Sequence, residues 1–424
     1  ELVAVDGLRD HGEHGECCAW WAGSVLRVRV LISAYQCGPA SGTEAANAWH
    51  TALGLAAAGM TVHVLSAGQF KSESLPHFRD ARAQGLSLSV TYLGGPSSND
   101  SKPVARSAYL QYAAFQWSVS RWVGARHDWD VAHHIAWGSL SHPVGLLRSK
   151  GPIVVGPIGG GQVLLPGIGQ WVDGSLGWQR ARNQALTRAL RGNPFARSLA
   201  RRSDIVFAAN RETRDALVRL QAKRVEMLLP EVIPNRTGVK VDPPRAGRVV
   251  WIGRFLPIKA ARLAISSFRW VLESQPTAEL IMIGAGPTLE QNRSEASDLV
   301  LEGRLRFLGG LPWRQGQEIL GSADVHLQTS VRDSSSAQAM EAASLGVPTV
   351  ALKLGGMRDF FDDSSGAALI DPLPGWDVDR RLGDAVAALL GEGSRLRSER
   401  RGKALRFAEG YCVAARVNHL AETY

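Results

Sequence analysis

The chain has 424 residues, more than one hydrophobic core ordinarily holds, so its length predicts two domains. Hydrophobic residues make up 45% of it and charged residues 21%, as in an ordinary globular protein. The formal net charge is +9. This charge favours a solvated basic surface and leaves open a face that contacts anionic lipid or a phosphorylated acceptor. The sequence contains no zinc-finger or RNA-recognition motif, so we expect no nucleic-acid partner.

Cysteine usage gives no sign of a disulfide framework or a metal centre. The four cysteines are Cys17, Cys18, Cys37 and Cys412. They form no recurring spacing, which predicts reduced thiols and a cytoplasmic protein. His11 and His14 lie near the first pair, but no second half of a zinc motif follows, so chance proximity is favoured over a metal site. No uninterrupted run of 18 apolar residues occurs, so we expect a protein that is soluble or peripheral at the inner membrane face.

Residues 1–24 differ in composition from the rest of the chain, with Asp, Glu and His followed by Cys-Cys-Ala-Trp-Trp. They have neither the basic start nor the apolar core of a signal peptide. We interpret them as a disordered or non-native N-terminal extension.

The regular elements begin with an apolar strand at Leu26–Ser33, followed by a glycine- and proline-rich loop that contains Gly42. A helix is predicted next, because apolar residues recur at helical spacing over Trp49–Ala57. A glycine ends this helix, and Met60–Ser66 is the next strand. This order is typical of a parallel sheet. Further strands are predicted at Leu86–Leu93, Asp130–Ala136, Pro152–Ile158 and Asp204–Ala209.

Residues 236–246 contain a Pro-Pro pair and no periodicity, and we interpret them as a linker, after which the alternation of strands and helices restarts. The second set of strands is predicted at Arg248–Ile252, Glu279–Ile283, Leu305–Leu308, Asp324–Thr329, Thr349–Leu352 and Ala368–Ile370. The sequence therefore predicts an α/β protein with two Rossmann-like parallel-sheet domains that face a cleft. The predicted division is 25–235 for the first domain, 247–405 for the second, and 406–424 for a helix that crosses back to the first.

Two basic residues follow the first strand of the second half. Arg254 comes directly after Gly253 at the strand end, and Lys259 follows five residues later. Such a pair can neutralise a diphosphate, since Arg offers a planar fork of donors and Lys a compact charge. Taken alone, the pair is better explained by ordinary surface basicity.

A tight glycine turn follows the next strand, with Gly284, Gly286 and Pro287 in order. It resembles the beginning of a dinucleotide fingerprint, but Leu289 occupies the place of the third glycine. We therefore reject an NAD site and expect no cofactor.

The most informative segment runs from Asp333 to Glu341. Between them lie a turn and the beginning of a helix, including Ser334, Ser335, Ser336 and Ala337. The start of a helix offers free N–H groups to phosphate, whereas carboxylates accept hydrogen bonds from sugar hydroxyls. Donors for phosphate and acceptors for hydroxyls in one place predict a nucleotide-sugar site.

The ordered set of motifs is more specific than any one of them. In the second half it comprises Gly253 with Arg254, Lys259, the Gly284–Pro287 turn, Asp324, Ser330, Asp333, Glu341, the Gly346–Pro348 stop, and Gly355 with Gly356. In the first half it comprises Ser33–Glu44, His133 with His134, and Gly156–Gly161. From about residue 26 to the end, this set resembles the family 4 glycosyltransferases of the GT-B fold.

The resemblance implies a retaining glycosyltransferase of carbohydrate biosynthesis. It would move a sugar from a UDP- or GDP-sugar to a hydroxyl of a carbohydrate, lipid-linked or natural-product acceptor. The first domain would bind the acceptor and the second the donor. Arg254 and Lys259 would hold the diphosphate and stabilise the leaving nucleotide. Asp333 would face the transferred sugar, and Glu341 would accept hydrogen bonds from the ribose.

Further roles follow from the same resemblance. The backbone N–H groups from Ser334 to Ala337 would lie near phosphate or sugar, and Gly253, Gly284 and Gly286 would line the donor site. Gly42 would approach the diphosphate from the first domain, where a side chain would block close contact. His133 or His134 would touch the sugar or acceptor, because neighbouring strand residues point to opposite sides. A strand-end histidine bonded to backbone is the alternative interpretation.

The sequence departs from the family at the first carboxylate, which is normally Glu and here is Asp333. The serines after it replace the usual Gly-Phe-Gly. Since the Arg, the Lys and the second Glu are retained, we favour an active enzyme. The alternatives are a nucleotide-sugar epimerase of the same fold and a non-catalytic homologue that binds nucleotide or sugar. Asp377 and Asp379 imitate a metal motif of another glycosyltransferase fold, but helix capping explains them better, and no metal is expected.

Overall fold

The computed structural model describes residues 28–39, 43–94, 105–135, 137, 139–165, 167–172, 192–233, 244–372 and 377–424. Gly42, the predicted extension at 1–24 and most of the predicted linker lie outside these ranges. By its internal contacts the chain divides into two units. The first comprises Glu1–Gly161, Leu186–Pro234 and Tyr411–Tyr424, and the second comprises Gln162–Ala185 and Asn235–Gly410.

Each unit contains one sheet in which all the paired strands are parallel. The strands are β1 Arg29–Ser33, β2 Thr61–Ala67, β3 Leu88–Leu93, β4 Val131–His134, β5 Ile153–Ile158, β6 Ile205–Ala208, β7 Val225–Met227, β8 Arg248–Ile252, β9 Glu279–Ile283, β10 Leu305–Gly309, β11 Val325–Gln328, β12 Thr349–Leu352 and β13 Ala368–Ile370. The first sheet has the order β3-β2-β1-β4-β5-β6-β7, and the second has the order β10-β9-β8-β11-β12-β13. The predicted class, an α/β protein with two parallel-sheet domains, is confirmed.

Helices connect the strands, as parallel pairing requires. They are α1 Thr43–Ala57, α2 Lys71–Ala83, α3 Ala105–Gly124, α4 Pro194–Arg202, α5 Arg211–Arg219, α6 Ala261–Ser274, α7 Leu289–Glu295, α8 Ser297–Leu301, α9 Trp313–Gly321, α10 Ala337–Ser344, α11 Gly355–Phe360, α12 Val378–Leu390, α13 Ser394–Glu409 and α14 Val413–Thr423. Because helices cover both faces of such a sheet, the central strands are apolar runs; β1 buries Val30, Leu31 and Ile32 almost completely. No described helix has the length and apolar character needed to cross a membrane.

The last helix, α14, belongs to the first unit. Its Leu420 is fully buried in the core that also contains β1 and β2. Arg416 is 6% exposed, and its guanidinium donates to the backbone carbonyls of Leu229 and Glu231. Burial lowers the pKa of Arg416 to about 10, and the charge of Glu231 opposes that shift. A buried cation bonded in this way fixes how α14 lies on the unit.

The core of the second unit includes a segment from earlier in the chain. Leu164, Ile168 and Val172 are buried with Val249 and Leu327 of its sheet. The sequence-based division assigned this segment to the first domain, since a short aperiodic stretch gives no signal of the core it joins.

One strand was not predicted, and one local prediction needs correction. β7 was not predicted, because its three residues are only partly buried and include a glutamate. Asp377 makes no capping hydrogen bond at the start of α12. Instead Asp379 accepts hydrogen bonds from Ser266 Oγ at 2.6 Å and Trp270 Nε1 at 3.3 Å, so it fastens α12 to α6. The carboxylate is used between helices rather than as a cap.

Candidate functional site

The ends of β8 and β11 bring the predicted basic and acidic residues of the second unit together. The two strands are neighbours in the sheet, and their carboxyl ends lie on the same edge. Lys259 follows β8, Asp333 follows β11, and their side chains form an ion pair. The ammonium side chain is 13% exposed and the carboxylate 21% exposed. The pair is therefore partly buried. Charge interactions are stronger in such a position than at an open surface.

Backbone hydrogen bonds hold the loops that carry this pair. Val331 donates its N–H to the carbonyl of Ile258 at 3.0 Å. Thr329 Oγ1 lies 3.1 Å from the carbonyl of Lys259 and 3.0 Å from that of Ala260, and it also accepts from Trp251 Nε1. The lysine loop and the β11 end are thus one connected structure, which positions the ammonium group.

Arg254 lies at the same edge but differs from Lys259 in its surroundings. Its side chain is exposed, and no acceptor among the described residues pairs with the guanidinium. The backbone beside it is fixed, because Gly253 donates to the carbonyl of Ile283 and Leu256 donates to that of Arg254. This end of β8 therefore presents a cation on a rigid loop.

The glycine turn after β9 allows two loops to touch backbone to backbone. Gly284 has φ of 139°, and a Cβ there would lie 1.8 Å from the carbonyl oxygen of Gly253. Gly286 has φ of 157°, and its Cβ would lie 2.5 Å from the carbonyl oxygen of Phe255. Only glycine suits such backbone approach. Both glycines thus support the loop of Arg254. Direct contact of Gly284 or Gly286 with the nucleotide sugar stays a prediction.

The serine turn is tightly packed where it enters α10. Ser336 is fully buried at the N-cap position, and its side chain makes no capping bond. The Oγ of Ser336 finds no partner among the described residues. A Cβ on Gly355 would lie 2.2 Å from the carbonyl oxygen of Asp333, so the first residue of α11 packs closely against this turn. The first N–H groups of α10 have no partner within the helix, as at any helix start.

Glu341 is held by two side chains that sequence reasoning missed. Trp313 Nε1 donates to Glu341 Oε1 at 3.2 Å, and Gln317 Nε2 donates to Oε2 at 3.0 Å. Both donors lie on α9 at positions i and i+4, and therefore on one face of that helix. Their spacing was visible in the sequence, but nothing there linked α9 to α10. The two bonds orient the carboxylate for which the family resemblance implies contact with the ribose, and that contact stays a prediction.

The two candidate histidines, His133 and His134, lie at the end of β4 and point to opposite faces of the sheet. His133 Nε2 is 2.8 Å from the carbonyl of Gly156, and Nδ1 is 2.5 Å from Tyr424 Oη. Since a carbonyl can only accept, Nε2 carries the proton and Nδ1 accepts from the tyrosine. On the other face, His134 lies 3.4 Å from both Tyr112 Oη and Ser33 Oγ.

Both histidines are 1% exposed. Burial lowers the pKa of His133 to about 3 and that of His134 to about 4, so both rings are neutral at neutral pH. The alternation argument overlooked that helices cover both faces of a parallel sheet, so that neither direction leads to open space. Contact of either ring with a sugar or acceptor stays a prediction.

Two family models match most of the chain. The model described as glycosyl transferases group 1 matches residues 239–390, and the glycosyl transferase 4-like domain matches residues 41–235. Among curated proteins, the chain is 29% identical over 189 residues to a D-inositol 3-phosphate glycosyltransferase of Corynebacterium efficiens, which covers 43% of each protein. It is 27% identical over 168 residues to a phosphatidylinositol N-acetylglucosaminyltransferase protein of Arabidopsis thaliana, covering 37% of this chain and 36% of that protein. These matches span less than half the length of either relative.

Solved structures share the fold over nearly the whole chain. The structure of HepE from Anabaena in complex with UDP and glucose has a TM-score of 0.61 at 16% identity, covering 93% of this chain and 99% of that one. Sucrose-phosphate synthase from Thermosynechococcus elongatus has a TM-score of 0.64 at 16% identity, covering 94% and 98%. Such identities bear on the fold alone. With the two family models, they show that the chain belongs to the group 1 glycosyl transferases, with a family 4-like first domain and the GT-B fold.

Proposed function

We propose that the protein transfers a glycosyl group from a nucleotide sugar to a hydroxyl acceptor, with retention of the anomeric configuration. The observation that carries the proposal is the carboxyl edge of the second sheet. There Arg254 and Lys259 are cations, and the first N–H groups of α10 have no partner within the helix. Glu341 at the same edge is a carboxylate, which can accept hydrogen bonds from hydroxyls. Support comes from HepE, which has been solved with UDP and glucose, and from the glycosyltransferase names of the curated relatives.

The two cations would bind the diphosphate of the nucleotide sugar in different ways. Lys259 is positioned by Asp333 and would contact a phosphate oxygen as a compact charge. Arg254, exposed on its rigid loop, would add a planar pair of donors. Both would bind more strongly as negative charge develops on the leaving diphosphate, which is the condition for lowering the barrier. The cations supply the charge that a divalent ion supplies in other phosphate sites, so we propose no metal or cofactor.

The two candidate carboxylates of the second unit are both paired. Asp333 pairs with Lys259, and Glu341 accepts from Trp313 and Gln317. Neither is arranged as a free nucleophile toward an anomeric carbon. We therefore propose attack by the acceptor hydroxyl on the face from which the diphosphate departs. The C–O bond to the diphosphate breaks as the new one forms, and a diphosphate oxygen takes the hydroxyl proton.

We further propose a cytoplasmic protein that acts on a carbohydrate, lipid-linked or natural-product hydroxyl, using a UDP- or GDP-sugar. The two described cysteines, Cys37 and Cys412, are free thiols, in line with a reducing compartment. The names of the relatives mention inositol phosphate and phosphatidylinositol, which makes a phosphorylated or lipid-linked cyclitol the first acceptor to assay. Contact with the inner membrane face stays part of the proposal.

A thermal-shift screen of UDP- and GDP-sugars tests the donor. A ligand at a hundred times its dissociation constant adds about 2.7 kcal/mol to the stability of the protein. At least one nucleotide sugar is expected to raise the melting temperature and then to transfer its sugar with the anomeric configuration kept, as read by proton NMR of the product. Stabilisation by none of them would contradict the proposal. Epimerised donor without transfer would favour an epimerase, and binding without any turnover would favour a non-catalytic homologue.

A further inference from the structure

The first unit has an aromatic cluster that the donor chemistry does not use. The aromatic cluster is Tyr109, Trp137 and His142, with Tyr35 and Tyr112 behind them. Trp137 stacks on Tyr112 with centroids 4.7 Å apart, and Tyr109 stacks on His142 at 5.4 Å. Tyr35 and Tyr112 are 4% and 1% exposed, whereas Tyr109 is 58% exposed. A buried aromatic base thus supports an aromatic surface that is open to solvent.

The cluster lies where a parallel sheet binds ligands. Tyr35 follows β1, Trp137 follows β4, and these two strands are neighbours in the sheet. The strand order runs β3-β2-β1 to one side and β4-β5-β6-β7 to the other, so the chain changes direction between β1 and β4. Ligands of open α/β sheets bind beyond the carboxyl ends of the strands at such a reversal.

Two features of the cluster are costly for stability. Trp137 has φ of 50°, a left-handed conformation that bulky residues rarely adopt. Strain of this kind persists where the surroundings hold a residue in place for a function. The Nδ1 atom of His142 is buried and has no partner among the described residues. Burial also lowers the pKa of His142, which favours the neutral ring, and a neutral imidazole can both donate to and accept from a hydroxyl.

The chemistry of the cluster selects one kind of ligand. An aromatic face is electronegative and attracts the C–H groups on the apolar side of a sugar or cyclitol ring. The cluster itself carries no cation. Burial is the main cause that raises the pKa of Tyr112, and the nearby carboxylate of Glu44 raises it further. A carboxylate near the cluster can accept hydrogen bonds from the hydroxyls of such a ring.

We propose that the aromatic cluster binds the ring of the acceptor, a polyhydroxylated sugar or cyclitol, by stacking on Tyr109 and Trp137. The inference rests on the proposed function, because it assigns the acceptor class of the same reaction. Tyr109 and Trp137 are then specificity-determining residues, and His142 bonds a ring hydroxyl.

Ligand-observed saturation-transfer NMR on the full chain, with UDP or GDP present, tests the proposal. The probes are methyl β-D-glucopyranoside, methyl α-D-mannopyranoside and myo-inositol. At least one is expected to receive saturation at its ring C–H protons, reduced at least about fivefold in Tyr109→Ala and kept in Tyr109→Phe. Trp117→Ala is the matched control, since Trp117 is 63% exposed on the same helix outside the cluster. Trp137→Phe gives a second, milder change in case other variants fold poorly.

The inference is overturned if none of the three probes receives saturation, or if Tyr109→Ala and Trp117→Ala behave alike. It is also overturned if Tyr109→Ala loses binding to phosphatidylglycerol vesicles while sugar binding is unchanged, because the cluster would then be a lipid-binding surface. Nucleotide-sugar binding, measured in the same samples, separates this failure from failure of the proposed function. A protein that still binds the donor but shows no ring contact contradicts the acceptor assignment alone.

Discussion

The carboxyl edges of the two sheets carry opposite chemistry on the same framework. The edge of the second sheet has Arg254, the Lys259–Asp333 ion pair and an oriented Glu341. The edge of the first sheet has stacked aromatic rings and two buried, neutral histidines. A cationic edge suits a diphosphate, and an aromatic edge suits a polyhydroxylated ring. The comparison teaches that a shared fold leaves function to the loops at the strand ends.

The largest effect is expected from removing a cation at the charged edge. Lys259→Ala should lower kcat by about 10²–10³-fold, because developing charge on the leaving diphosphate loses a positioned partner. Steady-state kinetics measure this. Lys403→Ala is the control, since Lys403 is a surface residue of the same type on α13. Unchanged turnover in Lys259→Ala would show that charge at this edge does not drive the reaction.

Gly284→Ala tests whether the charged edge depends on backbone contact. The new Cβ would lie 1.8 Å from the carbonyl of Gly253 at a φ of 139°. Strain and overpacking together should cost about 2–5 kcal/mol of unfolding free energy. Urea denaturation measures the loss. Gly124→Ala is the control, because a Cβ there meets open space and alanine favours the helix. Equal stability of the two variants would disprove the tight approach.

The buried histidine His133 at the edge of the first sheet should make the stability of the protein sensitive to acid. Burial lowers the pKa of His133 to about 3, so the unfolded chain binds more protons below about pH 6.5. Stability therefore falls as pH falls from about 6.5 toward 3, with roughly 2 kcal/mol lost by about pH 5 from this one group.

Replacing this histidine should flatten the acid limb of the stability curve. His133→Gln can still donate to Gly156 and accept from Tyr424, but it cannot be protonated. Urea melts at several pH values should show a smaller loss in His133→Gln than in the wild type. The exposed His127→Gln is the control. A pH profile that His133→Gln leaves unchanged would mean that this ring is not held neutral.

The smallest effect is expected at Glu341. Glu341→Gln keeps the shape of the side chain but removes the charge from its bonds with Trp313 and Gln317. The same substitution removes the charge that would accept hydrogen bonds from the ribose of the nucleotide sugar. Since a hydrogen bond to a charged group contributes about 1.5–3 kcal/mol, the affinity for the nucleotide sugar should weaken by at least about tenfold. Calorimetry with the donor found in the screen measures this change. A larger loss in acceptor KM than in donor affinity would reassign the residue.

The sequence predicted the framework better than the side-chain partners. Four strands of the second half, including Arg248–Ile252 and Thr349–Leu352, have the predicted bounds, because buried parallel strands are continuous apolar runs. The meeting of Lys259 with Asp333 agrees with both following neighbouring strands.

Contacts between distant elements could not be predicted in this way. Trp313 and Gln317 reach Glu341 only because α9 and α10 lie side by side. Tyr109 of α3 and Trp137 after β4 are distant in the sequence, and their ring contact has no signature there. The left-handed backbone of Trp137 has none either. The burial of both histidines likewise depends on what covers them, which periodicity does not show.

The central claim is that the edge of the second sheet binds the nucleotide and the aromatic cluster of the first sheet does not. Calorimetric titration of UDP and GDP into the wild type, Arg254→Ala and Tyr109→Ala tests this claim most directly. The account predicts that at least one nucleotide binds the wild type and Tyr109→Ala equally. It should bind Arg254→Ala at least about tenfold more weakly, since a charged hydrogen-bonded pair is lost. Arg395→Ala, an exposed arginine of α13, should match the wild type. Binding of neither nucleotide, or equal binding to the wild type and Arg254→Ala, would contradict the account.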